Sequence, residues 1–424
     1  MKQFIFIVLA SIIALAGCQP STQIIAEDDD GSGYATSYGR KVKYEKVNGV
    51  TKYEHWEIPE YVNPSPNKQT LRHYLKKYLQ VSAQSEKYTV SGSSNPKKLN
   101  YDLRKSSFLE EQMNTTSLLS YIFYEDGKVL HSQHTPMERF GDIFTPKTVY
   151  HSNSMGKSMV SYVLGHAICE GYIDSIDSDI SDWSLMKDTL YSEQKLIDLL
   201  NMSAQDRHVV SDVTGVKPSG RWYNSHSLAS FANNELKGTK PNRNKGYHYN
   251  GLVTNVLMNY TIYKSRSNYQ RLLNKVFREK AGVSQAVYFR KNRTGKSYDG
   301  SAWYMFNATP TDYLRIGIAI MKDWQNDTCV GKYLKQVNDR RIRKNLSEYS
   351  PKLRFQASRS YGGQFHLNYR GMSDRDILGL DGYGNQALMI DASNSRIIVA
   401  NTIHTDYDWN TLVYYALRDG KLPD

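Results

Sequence analysis

Hydrophobic positions fall into three regimes along the chain. Phe4 to Leu15 is an apolar stretch broken only by Ser11, preceded by one charge at Lys2 and too short to cross a bilayer as a permanent helix. Residues 19–55 then show no apolar periodicity. The acidic run Glu27-Asp28-Asp29-Asp30, followed by Gly31-Ser32-Gly33, marks them as an irregular tether. Residues 56–114 are transitional, with one helix expected over Leu71–Tyr78. Regular patterning begins near Leu118. Leu118–Tyr124 is short, apolar and aromatic, which suits a buried strand; Asp126-Gly127 signals a turn, and a second strand starts at Val129. Met155, Met159, Val160, Val163, Leu164, Ala167 and Ile168 share one wide helical face, and Gly171 is placed to stop that helix. Residues 172–320 read as helices and long loops. Lys195–Met202 and Pro310–Asp323 are the clearest helices, the second opened by Thr309 as N-cap. After Tyr361 strands return at Phe365–Tyr369, Ala387–Ile390 and Arg396–Ile403, with a polar turn over Ala392–Ser395, and Trp409–Leu417 closes the chain as a helix. Strands at both ends with helices between them predict one sheet built from distant segments, with a helical insertion.

The N-terminus adds a destination. The apolar run ends in Leu15-Ala16-Gly17-Cys18, and small residues before a cysteine at that place resemble the bacterial lipobox. The expectation is a signal peptide over 1–17 and an exported bacterial lipoprotein, acylated at Cys18 and anchored to a membrane by its lipid. Gln19 is not the aspartate that commonly signals retention at the inner membrane, so the periplasmic face of the outer membrane is expected. The formal charge of +12 admits nucleic acid or an anionic surface as partner. The basic residues are scattered and no nucleic-acid motif accompanies them, so no nucleic-acid partner is expected; a solvated surface near anionic lipid or cell-wall polymer is the modest reading. Of the other two cysteines, Cys169 lies in an apolar helical run and reads as a buried free thiol, although it could pair with Cys329 in an oxidising compartment. His131 and His134 form an isolated HxxH with no third ligand nearby; they read as surface histidines, and no metal is expected.

Candidate chemistry rests first on Ser-x-x-Lys, which occurs at Ser94/Lys97, Ser154/Lys157, Ser184/Lys187 and Ser192/Lys195. On a helix, that spacing puts serine and lysine on one face, a turn apart. A buried lysine escapes the cost of its charge by losing a proton, so its pKa can fall from about 10.4 toward neutrality. It can then take the serine proton and activate the nucleophile. Free N–H groups at the helix start can hold a developing oxyanion. The spacing alone favours a capping serine and a snorkelling lysine. Context separates the four, because only Ser154 opens a strongly apolar helix directly after a loop.

His151-Ser-Asn-Ser-Met-Gly-Lys-Ser158 resembles the nucleophile motif of the serine β-lactamase-like, penicillin-binding superfamily. Further segments resemble it in the expected order: Asp126-Gly-Lys128, Ala167–Asp174, Asp198-Leu-Leu-Asn-Met-Ser203 and Thr309–Gly317. The likeness covers about residues 115–420 and is nearest the 6-aminohexanoate-dimer hydrolase-like branch, beside class C β-lactamases. It implies an α+β fold in which a mostly antiparallel sheet is flanked by helices, with a helical insertion. The implied division is a hydrolase domain over 115–424, behind a tether at 18–55 and an extension at 56–114. Tyr247-His-Tyr-Asn250 resembles the family's aromatic-x-Tyr segment, which implies Tyr249 as the proton-transferring tyrosine and Tyr247 as packing. Gly251 departs from the Ser or Asn often found two residues after that tyrosine. Asp381-Gly-Tyr-Gly-Asn-Gln386 resembles the Gly-rich segment ending in Gly-Gln. Tyr383 falls where relatives carry Lys or His and Asn385 where they carry Gly; Gly384 keeps the pattern, and the Gln386 N–H is implied as an oxyanion donor. The function implied is acyl-enzyme hydrolysis of a small ester, linear amide or peptide, with no cofactor. A neutral Tyr383 in place of a cation favours esters and amides over β-lactams. The rivals are a cell-wall D-amino-acid carboxypeptidase or amidase, a β-lactamase, and an inactive lipid-anchored binding protein.

Overall fold

The structure, a computed structural model, describes residues 87–210, 228–243, 245–291, 302–345, 357–402 and 406–424 in full. It also gives the backbone of strands at Gln23–Glu27, Gly33–Ser37, Arg40–Val47, Val50–Tyr53, Gly215–Val216 and Arg221–Trp222. Residues 1–17, the lipidation candidate Cys18 and the expected helix over 71–78 lie outside the described residues.

In chain order the main elements are β1 (Lys87–Val90), β2 (Asn100–Tyr101), α1 (Ser107–Thr115), β3 (Leu118–Glu125), β4 (Lys128–His134) and β5 (Tyr150–His151). Next come α2 (Met155–Cys169), α3 (Leu196–Leu200), α4 (Gly251–Ser265), β6 (Val287–Lys291), β7 (Ala302–Ala308), α5 (Pro310–Gln325) and α6 (Cys329–Asp339). The last strands are β8 (Ile342–Arg343), β9 (Ser358–Gly362), β10 (Phe365–Tyr369), β11 (Ile377–Gly382), β12 (Gln386–Asp391) and β13 (Arg396–Thr402). A closing helical segment follows at Asn410–Tyr415 and Ala416–Asp419.

The expected sheet from distant segments is present. Nine strands run in the order β8-β9-β10-β11-β12-β13-β3-β4-β2, so the C-terminal β13 pairs with the early β3, Ile398 opposite Phe123. Every pairing is antiparallel except the short β2 against β4. Both faces are covered, which is why the central strands read as apolar runs rather than alternations. Ile122, Leu388 and Val399 face the core shared with α2, α4 and α5; Tyr121, Met389 and Ile398 face α1 and the closing helix. Asp126 and Gly127 both take positive φ, +45° and +85°, which a two-residue hairpin between twisted strands requires. Thr309 caps α5 through the Asp312 N–H, and Gly171 sits at φ +75° just past α2.

Several expectations change. The tether contains four antiparallel strands over residues 23–53, and Val47 pairs with Val50 across Asn48-Gly49, a hairpin signal present in the sequence. The folded unit reaches back to residue 87. β1 pairs with β6 in a second sheet ordered β1-β6-β7-β5, and α1 packs under β3. Helices do not account for all of 172–320, since β6 and β7 belong to that second sheet. Cys169 is no free thiol: it is half-buried at the end of α2 and bonded to Cys329 at the start of α6, with Cα atoms 5.9 Å apart. His131 is not a surface residue. The backbone of Arg104 runs over it, its carbonyl 2.8 Å from His131 Nδ1, and Gln133 lies 3.1 Å from the other ring nitrogen. His134 is half-buried beside it.

Candidate active site

Ser154 stands at the entrance of α2 in a turn fixed from two sides. On one side Ser152 is tied to β7: its N–H donates to Phe306 O at 2.8 Å, and its hydroxyl accepts from Phe306 N at 2.9 Å. On the other, the Asn153 side chain donates to Tyr383 O at 2.8 Å. Asn153 itself is held at φ +47°, a conformation asparagine tolerates better than most residues. The turn delivers Ser154 half-exposed, in helical φ/ψ, with its side chain not spent on capping.

One turn on, Lys157 is wholly buried, and its Nζ makes no hydrogen bond among the described residues. It lies over the face of Tyr304, 3.6 Å from the ring centre, and 5.0 Å from the ring centre of Tyr249. Burial holds its pKa well below the usual lysine value of 10.5. None of the other three lysines of this spacing is fully buried: Lys187 and Lys195 are exposed and Lys97 is half-buried. Ser154 and Lys157 share a helical face without bonding each other, and such bonds are commonly long before substrate is in place.

Tyr249 arrives from the segment before α4. It is half-buried, its ring turned toward Lys157, whereas Tyr247 is buried against Tyr361 at 5.3 Å. Asn250 is the N-cap of α4, accepting from Val253 N at 3.0 Å, and Gly251 is the first helical residue. The backbone on both sides of Tyr249 is anchored to one buried carboxylate. Asp206 accepts from His248 Nδ1 at 2.7 Å, Asn250 Nδ2 at 3.0 Å and Tyr191 OH at 2.8 Å.

Tyr383, Gly384 and Asn385 form the tip of the β11–β12 hairpin, closed by the pair Gly382–Gln386. A Cβ on Gly382 would lie 2.4 Å from Ser152 O, so the hairpin is pressed against the nucleophile turn. Gly384 and Asn385 take φ +79° and +66°, which explains why Asn can stand where relatives have Gly. Asn385 O accepts from Tyr407 OH at 2.8 Å, fixing the tip from behind. The buried Gln386 side chain turns inward to Asn401 and Thr402, leaving its backbone at the start of β12. The structure thus brings Tyr249 to Lys157, and the Tyr383 backbone to Asn153 beside Ser154.

Among solved structures, a 6-aminohexanoate-dimer hydrolase candidate from Bacillus anthracis superposes with a TM-score of 0.59 at 13% identity, over 83% of this chain and 93% of that one. At that identity the likeness is one of fold, an α+β arrangement with a largely antiparallel sheet flanked by helices. A penicillin-binding protein homologue from Pyrococcus abyssi (TM-score 0.48, 15% identity, 74% of this chain and 76% of that one) was also found. So was a class C β-lactamase from Rhodobacter sphaeroides (0.49, 15%, 70% and 92%). No family model and no curated protein matches the sequence.

Within this fold, three residues escaped the sequence reading. Asp206 follows the Asp198-Leu-Leu-Asn-Met-Ser203 segment, and nothing local marks it as a hub. Gln364, at φ +66°, is buried where its side chain reaches Thr254 of α4 and the Leu199 and Leu200 carbonyls of α3. Its own carbonyl accepts from Ser158 of α2 at 2.6 Å. Tyr304 sat unread in the aromatic run of β7, whose strand character was the available signal. Among the described residues no group of three or more His, Cys, Asp or Glu could hold a metal ion, and no helix is long and apolar enough to cross a membrane.

Proposed function

We propose that this chain is a serine hydrolase working through an acyl-enzyme on an ester or linear amide. The observation that carries the proposal is the burial of Lys157, alone among the four Ser-x-x-Lys lysines, one turn below a half-exposed Ser154. A neutral Nζ takes the Ser154 proton as Oγ attacks the acyl carbon. The N–H groups of Ser154 and Gln386 hold the oxyanion. Tyr249 relays the proton to the leaving group, and then serves water in deacylation. Tyr383 offers substrate a neutral hydroxyl rather than a cation, which supports neutral esters and amides over carboxylate-bearing β-lactams. Acylation at Cys18 and export are part of the proposal. The cysteine-ended apolar run supports them, and so does the Cys169–Cys329 disulfide, which suits an oxidising compartment.

A fluorophosphonate probe tests the chemistry, since only an activated serine labels. Wild type should label at Ser154. Ser154→Ala should not label, and Lys157→Ala should lose several orders of magnitude in rate, as units of this kind do. Labelling at Ser94, Ser184 or Ser192 would refute the assignment, and an unlabelled, folded wild type would mark a binding protein instead.

A further inference from the structure

The proposed base has a difficulty that the site must answer. Lys157 must become an ammonium when it accepts the Ser154 proton, yet its Nζ is fully buried and without a hydrogen bond among the described residues. Burial lowers its pKa, so the new charge is costly there unless something nearby meets it. Two aromatic rings lie against the amine. From β7 the Tyr304 ring lies 3.6 Å away, and from the segment before α4 the Tyr249 ring lies 5.0 Å away. α6 brings Tyr333, but its hydroxyl bonds Ser161, one turn further along α2. β11 meets the nucleophile turn through the backbone of Gly382.

We propose that the face of Tyr304 stabilises the Lys157 ammonium as it forms, so that an aromatic quadrupole stands where a carboxylate or hydrogen bond would otherwise be needed. The inference rests on the acyl-enzyme reading above. In that step the Oγ–H bond breaks and an Nζ–H bond forms. Oγ bonds to the acyl carbon, and the carbonyl π pair moves to its oxygen. The new charge on nitrogen meets the negative face of the ring. The ring is well placed for this. Tyr304 is buried, its N–H donates to Asn255 of α4 at 3.1 Å, and its carbonyl lies where a Cβ on Gly156 would come within 2.1 Å. Because Tyr249 enters at the N-terminus of the same α4, the two rings share one support. Tyr249 stays at the greater distance.

The test varies the quadrupole without varying shape. The pH dependence of Ser154 labelling by the fluorophosphonate is measured for wild type, Tyr304→Phe, and Phe at 304 carrying one or three ring fluorines. Fluorination drains the ring face, so the ammonium is less favoured and the base pKa falls. The acidic limb of the labelling profile should stay near its wild-type position in Tyr304→Phe. It should then move stepwise to lower pH, by about half a unit to one and a half units in all, with a lower plateau rate because the base is weaker. A limb that stays fixed across the series, or moves upward, overturns the role of Tyr304 while Ser154 labelling persists. Wild-type labelling that is absent, or indifferent to Lys157→Ala, overturns the parent reading. Tyr304→Leu, which removes the ring, should show the largest shift; the fluorinated series decides the matter if that variant does not fold.

Discussion

Two tyrosine rings face Lys157, and they differ in what a missing hydroxyl would cost. Tyr249 is half-exposed beside the amine, so its phenol is the one able to meet a leaving group. Tyr249→Phe keeps the ring and should lower kcat/KM for a reactive ester by about 10²–10⁴-fold, the range for a general acid–base group. Tyr247→Phe, buried against Tyr361, should change it little. A reversal of that order would show the phenol of Tyr247 to be the one that acts. At this scale the sequence is legible where chemistry and spacing are local. Ser154 and Lys157 announce themselves by one helical turn, and Gly384-Asn385 by residue types that accept positive φ. Tyr304, Asp206 and Gln364 do not, because each matters only through a partner distant in the chain: Tyr304 meets Lys157, Asp206 meets His248 across 42 residues, and Gln364 meets Ser158 across 206.

Helix α2 shows how an element can be seen and still be under-read. A wide apolar face was evident, but every residue from Met155 to Ala167 is buried, so its polar positions are interior groups rather than a solvent face. Ser158 and Ser161 bond Gln364 O and Tyr333 OH. Gly156 is the clearest instance. Helix α2 meets β7 so closely that an added Cβ would stand 2.1 Å from Tyr304 O. Gly156→Ala must push the helix and strand apart, at a cost on the order of 1–3 kcal/mol. The displacement falls on both Lys157 and its aromatic partner, and misplacement by about 1 Å can cost on the order of 10²-fold in rate. Thermal unfolding and labelling rate, measured together, should both fall. Unchanged labelling in a destabilised variant would show that the approach serves packing alone. Strand β1 went unread because so short a run is ambiguous until a partner strand is known, and its partner β6 lies far off in sequence.

For the molecule as a whole, the nine-stranded sheet was foreseeable from strands at both ends of the domain, whereas the covalent link was not, since two cysteines 160 residues apart carry no local sign of pairing. Closing so long a loop restricts the unfolded chain, and loss of such a bond typically costs about 2–4 kcal/mol. Cys329→Ser should therefore unfold at lower urea than the oxidised wild type, and wild type in reductant should match the variant. Coincident oxidised and variant curves would count against a stabilising role. The same bond partitions the chemistry. Ser154 and Lys157 precede Cys169, and Tyr383 to Gln386 follow Cys329, while Tyr249 and Tyr304 lie between the two cysteines. In the proposed mechanism, nucleophile and base come from the tail that enters a covalent ring, and the oxyanion hairpin from the tail that leaves it. The phenols come from the ring itself, so neither the ring nor either tail carries the reaction by itself.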